Sequence, residues 1–244
     1  MTTTMNIPEL LGRGLYNVPE AARLVGISPS RARRWVQGYR FAYPTTMRRR
    51  RSASPPVVKT DLPKVKGFMA VSFVELVELF VVGGFLRRGV SLGVVRLASG
   101  RASERLGTSH PFAYKKFKTD GKGIFLELGA DTSGLEANGK RLLELTKLQY
   151  AFPEILADYL EQVEFELATD MASQWWPLGK KNLIVLDPSV AFGAPVIAGT
   201  RIPVVTIMDA LKAGETKKSV CYWYNVNLKQ VQAAIRFHKQ RLAA

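Results

Sequence analysis

Arg33, Arg34 and Gln37 fall together in SPSRARRWVQG, and MRRRRSASPP follows a few residues later with Arg48, Arg49, Arg50 and Arg51 in succession. Guanidinium and carboxamide groups can each make two hydrogen bonds to one base edge, arginine to guanine and glutamine to adenine. Four consecutive arginines repel one another unless anions separate them. That suits a clamp on phosphates or a probe of a narrow minor groove. The competing reading is a solvated basic helix face followed by a basic linker, which the SASPP tail supports; the two agree if the arm orders on DNA. Between Arg31 and Lys66 there are eleven basic residues and one acidic residue, Asp61. The whole chain carries 35 Lys and Arg against 20 Asp and Glu, a net charge of +15. A surplus so placed points to a polyanion, nucleic acid before an anionic membrane surface.

The elements that must position these side chains are two short helices. In YNVPEAARLVGISPSRARRWVQGY, Asn17 and Glu20 form a capping-box pattern, and Pro19 is tolerated in a first turn. Gly26 ends the first helix, Ser28 caps the second with Pro29 at its first position, and Gly38 ends it. Ala32, Trp35 and Val36 share one face and should enter the core, leaving Ser30, Arg33, Arg34 and Gln37 opposite. This is a helix-turn-helix with a wing behind it. The candidate DNA contacts are Ser28, Ser30, Arg31, Arg33, Arg34, Gln37, Arg48, Arg49, Arg50 and Arg51.

Catalytic chemistry finds little support. His110 and His238 lie far apart beside ordinary structural residues, and Cys221 is the single cysteine, so no zinc-ligand spacing exists. Glu75 and Glu78 sit three apart on a helix and read as a solvated pair. No GxSxG elbow is present. FGAPVIAGTRIPV fails as a phosphate loop, because Gly193 and Gly199 are separated by five residues and Thr200-Arg201 stands where Gly-Lys-Ser/Thr would follow. Neither enzyme activity, cofactor nor metal is expected. One cysteine and the lack of a secretory pattern in MTTTMNIPELLGRG suit the cytoplasm. SFVELVELFVVGGFL is too short and too charged to span a bilayer.

From Ser72 the pattern is helical, with Phe73, Leu76, Val77, Phe80 and Val81 in one stripe. A second helix runs through SLGVVRLASGRASERLG. HPFAYKKFKTDGKGIFLEL reads as a β-hairpin turning at Asp120-Gly121, and GADTSGLEANGK as a loop. Pro153 begins a helix with Ile155, Leu156, Tyr159, Leu160 and Val163 inward. Its outer side, with Asp158, Glu161, Glu164 and Glu166, is a poor DNA surface. Trp175 and Trp176 suggest an apolar patch between domains or subunits. After Asn182 come the short strand LIVL, the Gly199-Thr200-Arg201 turn, and three helices. The first carries Val204, Ile207, Met208 and Leu211. The second carries Val220, Trp223 and Tyr224 and closes at Asn225. The last, with an Asn227–Gln230 capping box, holds Leu228, Val231, Ile235 and Leu242 largely inward. The expected fold is mainly α with short β-hairpins. It comprises a winged helix-turn-helix domain (1–66), a helical middle region with a hairpin and dimer or partner contacts (67–178), and a three-helix module (179–244).

The C-terminal stretch DPSVAFGAPVIAGTRIPVVTIMDALKAGETKKSVCYWYNVNLKQVQAAIRFHKQ resembles a bacterial family of small domains of unknown function found in VapB-like antitoxins. The N-terminal part resembles the MerR-type winged helix-turn-helix, and the two in this order are similar to the larger, non-standard VapB antitoxins of VapBC toxin–antitoxin pairs. The resemblance implies that the chain binds its own operon promoter, as a homodimer or a higher hetero-oligomer with toxin. It also implies neutralisation of a VapC-like PIN-domain ribonuclease with an acidic, metal-dependent active site. Such a site can be blocked by charge-assisted pairing with arginine or lysine; Arg201, Arg236, Lys239 and Arg241 are the candidates. The alternatives are a MerR-like transcriptional regulator without a toxin partner and, more remotely, a basic RNA-binding protein.

Overall fold

The computed structural model describes residues 13–44, 49–62, 69–117, 152, 153, 155, 157–159 and 161–242. Arg48, the turn at Asp120-Gly121 and the 129–140 loop lie outside them. The first strand, β1 (Leu15–Asn17), leads into α1 (Val18–Val25), where the Asn17 side chain accepts from the Glu20 amide at 2.8 Å. Gly26, at φ 78°, closes α1 in the left-handed conformation. Ser28 Oγ then accepts from the Arg31 amide at 3.3 Å to cap α2 (Pro29–Gln37). Ala32, Trp35 and Val36 are buried, as the spacing predicts.

The wing is an antiparallel pair, β2 (Tyr39–Pro44) and β3 (Arg49–Ser54), with Tyr39 opposite Ser54 and Pro44 opposite Arg49. Gly38 joins α2 to it at φ 71°, and a Cβ there would lie 2.4 Å from the Ser54 carbonyl oxygen. Only glycine permits so close a crossing. The wing's exit is pinned to α2: the Val57 and Val58 amides both donate to the Trp35 carbonyl, at 2.9 and 3.1 Å.

The strand β4 (Ala70–Ser72) pairs antiparallel with β1, Tyr16 opposite Val71. It runs directly into α3 (Phe73–Arg87), started by a Ser72–Glu75 capping box. This helix is buried on nearly all sides, which a single apolar stripe does not predict. The helix α4 (Leu92–Leu106) braces the wing's exit through Arg96 Nε, which donates to the Pro55 carbonyl at 2.8 Å.

A four-stranded antiparallel sheet follows, in the order β5 (Val163–Phe165), β6 (Ala172–Trp175), β7 (Ile184–Leu186), β8 (Pro195–Ile197). Val163 and Glu164 therefore belong to a strand, not to the helix expected through them. Asp158 is paired with Arg88 at 3.0 Å and Glu164 with Lys180 at 2.6 Å. Trp175 is fully buried, its ring 5.1 Å from that of Phe80 in α3. At the expected hairpin, residues Pro111–Ala113 instead form a 3-10 turn, and Tyr114 bridges to Met171.

The glycine-threonine-arginine turn is tied by Thr200 Oγ1, which donates to the Ile197 carbonyl at 2.8 Å and accepts from the Ile202 amide at 3.1 Å. It delivers α5 (Val204–Lys212), α6 (Lys217–Trp223) and α7 (Leu228–Phe237), ending in a π-helical turn, His238–Leu242. One continuous apolar core runs from Tyr16 to Phe237. The fold is mainly α with short antiparallel pieces.

Candidate nucleic-acid interface

Burial of Ala32, Trp35 and Val36 fixes the rotation of α2 and leaves Ser30, Arg31, Arg33, Arg34 and Gln37 exposed along one side. The Arg34 guanidinium lies 5.6 Å from the centre of the Tyr39 ring, a cation–π contact that orients it at the root of the wing. Ser28 spends its oxygen on the helix cap and lies 3.3 Å from the Ser30 hydroxyl. Arg49, Arg50 and Arg51 run along β3, opposite Pro44, Tyr43 and Ala42.

Beside α2 opens a cleft of about 510 Å³, lined by Arg31, Arg34, Tyr39 and Arg87 among others, with no carboxylate among its described lining residues. Burial, then the neighbouring Arg88, lower the Arg87 pKa, and Asp158 offsets part of this. Among the described residues, Arg87 extends the basic side of α2 around the cleft. A helix presenting arginine and glutamine outward, with a β-ribbon beside it, can enter a major groove while the wing follows phosphates.

The four residues considered for a protein partner differ in exposure and contacts. Arg201 is exposed on its turn, and Arg236 and Lys239 are exposed at the end of α7. Arg241 instead turns back, donating to the Pro177 carbonyl at 3.3 Å, and a Cβ on Gly26 would meet its Nη1 at 2.7 Å. Burial, then Arg87, lower the Arg241 pKa. Arg241 braces the turn between α1 and α2.

Sequence reading missed two buried polar contacts. Glu75 and Glu78 are not a solvated pair, being only 0% and 1% exposed. Glu75 accepts from the Asp61 amide at 2.8 Å and the Ser72 amide at 3.0 Å. His110 is no ordinary loop residue: Nδ1 lies 3.1 Å from Glu78 Oε2 and Nε2 lies 2.7 Å from Asp61 Oδ2. Burial works against its charge, but the Glu78 and then Asp61 carboxylates outweigh that and push the imidazole up to about 9. Burial pushes Glu78 upward too, partly offset by His110 and the Phe112 amide. Asp61, Glu75 and His110 each bring a potential metal-ligating atom within 4.8 Å of the others. A metal needs the neutral imidazole, whereas here both ring nitrogens face carboxylates and both Glu75 oxygens take amides. The cluster is a hydrogen-bonded latch from the wing's exit to α3. Its signal in the sequence was two glutamates inside an otherwise apolar helix.

The second contact joins the two ends of the chain. The Tyr16 phenol, buried and so kept protonated, donates to the Gly193 carbonyl at 2.7 Å. A Cβ on Gly193 would lie 2.3 Å from that hydroxyl, and its φ is 82°. The phenylalanine-glycine of FGAPVIAGTRIPV is therefore where the C-terminal module meets the helix-turn-helix.

Comparison with known proteins agrees with this layout. Residues 9–42 match the helix-turn-helix domain family, and residues 184–238 match a family described as a protein of unknown function, DUF433. Over 233 residues the chain is 30% identical to the Mycobacterium tuberculosis protein described as "Putative antitoxin VapB45", covering 91% of this chain and 92% of that one. Over 252 residues it is 27% identical to "Uncharacterized protein Rv2308" of the same organism, covering 100% and 98%. The crystal structure of Rv2018 from Mycobacterium tuberculosis shares the fold, with a TM-score of 0.70 at 23% identity, covering 90% of this chain and 96% of that one. Among the described residues no helix is long and apolar enough to cross a membrane.

Proposed function

The chain belongs to the family of VapB-like antitoxins with an N-terminal helix-turn-helix, and from that premise we propose that it both represses its own operon and neutralises a VapC-like PIN-domain ribonuclease. In this reading α2 enters the major groove of operator DNA. Arg33, Arg34 and Gln37 read base edges, Ser28, Ser30 and Arg31 lie near the backbone, and Arg48–Arg51 follow phosphates. The protein acts in the cytoplasm, as a homodimer on a two-fold site or in a larger complex with toxin. The observation that carries the DNA half is the rotation of α2, with Trp35 inside and an unbroken arginine and glutamine side outside.

The toxin half rests on family membership and on the basic C-terminal module. Arg236 and Lys239, exposed and three apart, are the candidates to enter an acidic nuclease site, with Arg201 on a separate turn. Arg241 is already engaged and contributes by holding the module together. The protein itself does no catalysis in this reading.

The test is affinity purification of the tagged full chain from its native cells, with mass identification of its companions. A stoichiometric nuclease with a carboxylate-rich site, inhibited by the chain, is the expected result. Recovery of the chain alone, from cells that express the neighbouring gene, would leave a MerR-like regulator without a toxin.

A further inference from the structure

The turn between α6 and α7 holds two large rings out in solvent. Tyr222 is 78% exposed and Trp223 70%, their ring centres 5.3 Å apart and nearly edge to face. Leu228, at the start of α7, is half exposed. The helical spacing predicts Leu228 inward; the structure leaves it half exposed. The turn itself is firmly built. Val226 is buried and its amide donates to the Cys221 carbonyl at 3.1 Å. Asn225 takes the left-handed conformation at φ 50°. Asn227 and Gln230 cap each other's amides at 3.0 and 2.9 Å. The rings are thus presented on a rigid support, at small entropic cost to a partner.

The surroundings say what kind of partner. Lys217 and Lys218 on α6 and Lys229 on α7 are exposed on the same two helices that the turn joins. From Thr216 to Ala244 the sequence holds six basic residues and no Asp or Glu. An apolar centre of Trp and Tyr inside a polar rim is the composition of a protein-interface hot spot. A second copy of this chain would set lysines against lysines across a two-fold axis. Duplex DNA offers phosphates to the lysines but no apolar socket for two rings standing clear of the surface. An acidic protein with an apolar socket satisfies both. The same helix α7 that starts at Leu228 carries Arg236, two turns further on.

We infer that Tyr222, Trp223 and Leu228 are the apolar anchor by which this chain grips an acidic protein partner, the nuclease of the proposed pair. The inference rests on that reading of function. Lysine steers the encounter with the acidic rim, the rings fill the socket, and Arg236 and Lys239 are thereby aimed beyond it.

The experiment uses the full chain and the nuclease purified with it. Trp223→Ser and Tyr222→Ser are compared with the wild type for nuclease affinity, operator affinity, melting temperature and oligomeric mass. Both side chains are exposed, so both variants should melt like the wild type; should one fail to fold, the other carries the test. The expected result is a loss of nuclease affinity of roughly 30-fold or more for Trp223→Ser, with operator binding and mass unchanged. Unchanged nuclease affinity in both variants overturns the anchor while leaving the antitoxin reading intact. Loss of operator binding with nuclease retained makes the patch a DNA surface, and loss of a dimer makes it a self-contact; each overturns the inference. If the wild type itself binds no nuclease, the antitoxin reading fails first and the anchor with it.

Discussion

His110→Ala removes the centre of the latch, and the structure sets the size of the effect. The imidazole is 7% exposed and sits between Glu78, 1% exposed, and Asp61. Its pKa is about 9 against an ordinary 6.5, so the folded state holds this proton more tightly than the unfolded chain. The stabilisation is full below about pH 6.5 and fades as pH rises through about 9. At 1.36 kcal/mol per unit this amounts to about 3 kcal/mol. Raising the pH also reduces the net positive charge, which relieves self-repulsion and acts in the opposite direction. The comparison with the variant removes that common part. Urea unfolding at pH 6, 7.5 and 9.5 should show the gap between wild type and His110→Ala shrinking as pH rises. At pH 6 the gap should be about 3 kcal/mol, because Glu78, already pushed upward by burial, loses the imidazolium that offsets it and is left to take up a proton beside the Phe112 amide. Stability curves that run parallel across this range would refute an imidazolium in the latch. A gap below about 1 kcal/mol at pH 6 would refute the burial cost itself.

Gly193→Ala forces a Cβ to 2.3 Å from the Tyr16 hydroxyl at a left-handed φ; a loss of about 3 kcal/mol in thermal or urea unfolding is expected. Tyr16→Phe should cost about 1 kcal/mol and soften the effect of Gly193→Ala, since the hydroxyl it clashes with is gone; strictly additive effects would argue against the contact. Arg33→Ala or Arg34→Ala should weaken operator binding by about 1–3 kcal/mol and relax the preference at one base, read by a binding-site selection. Neutralising Arg48–Arg51 should weaken binding to all sequences alike and flatten the salt dependence by roughly 0.9 for each phosphate no longer neutralised; an unchanged slope would take the wing off the phosphates.

The helix-turn-helix was legible because its signals are local. Asn17, Gly26, Ser28, Pro29 and Gly38 punctuate the chain at the caps they specify, and a three-residue apolar face fixes which side of α2 is free. The Gly199 turn and the Asn227–Gln230 cap were legible for the same reason. Position Glu75 looked solvated because a helical wheel judges one helix alone, while α3 is packed on all sides and its glutamates are paired by partners 14 and 32 residues away in sequence. Leu228 failed in the opposite sense. A wheel assigns aromatic and aliphatic residues inward, yet Val220, Val226 and Val231 already fill that side of the short α6–α7 corner. The turn from Asn225 to Asn227 sets which residues are left over.

Long-range contacts also decide how the candidate DNA surface is held. Helix α2 does not hang from a linker: β1 is hydrogen-bonded to β4 before α3 begins, Tyr16 reaches Gly193, and Arg241 packs on Gly26 while bonded to Pro177. Gly26 is the pivot between α1 and α2, so the guanidinium from the far end of the chain rests on the turn that sets the angle of α2. On the other side, Val57 and Val58 hold the wing to Trp35, and the Asp61–His110–Glu78 latch holds the wing's exit to α3. Helix α2 is therefore fixed from its turn by the C-terminal module and from its end by the middle helices.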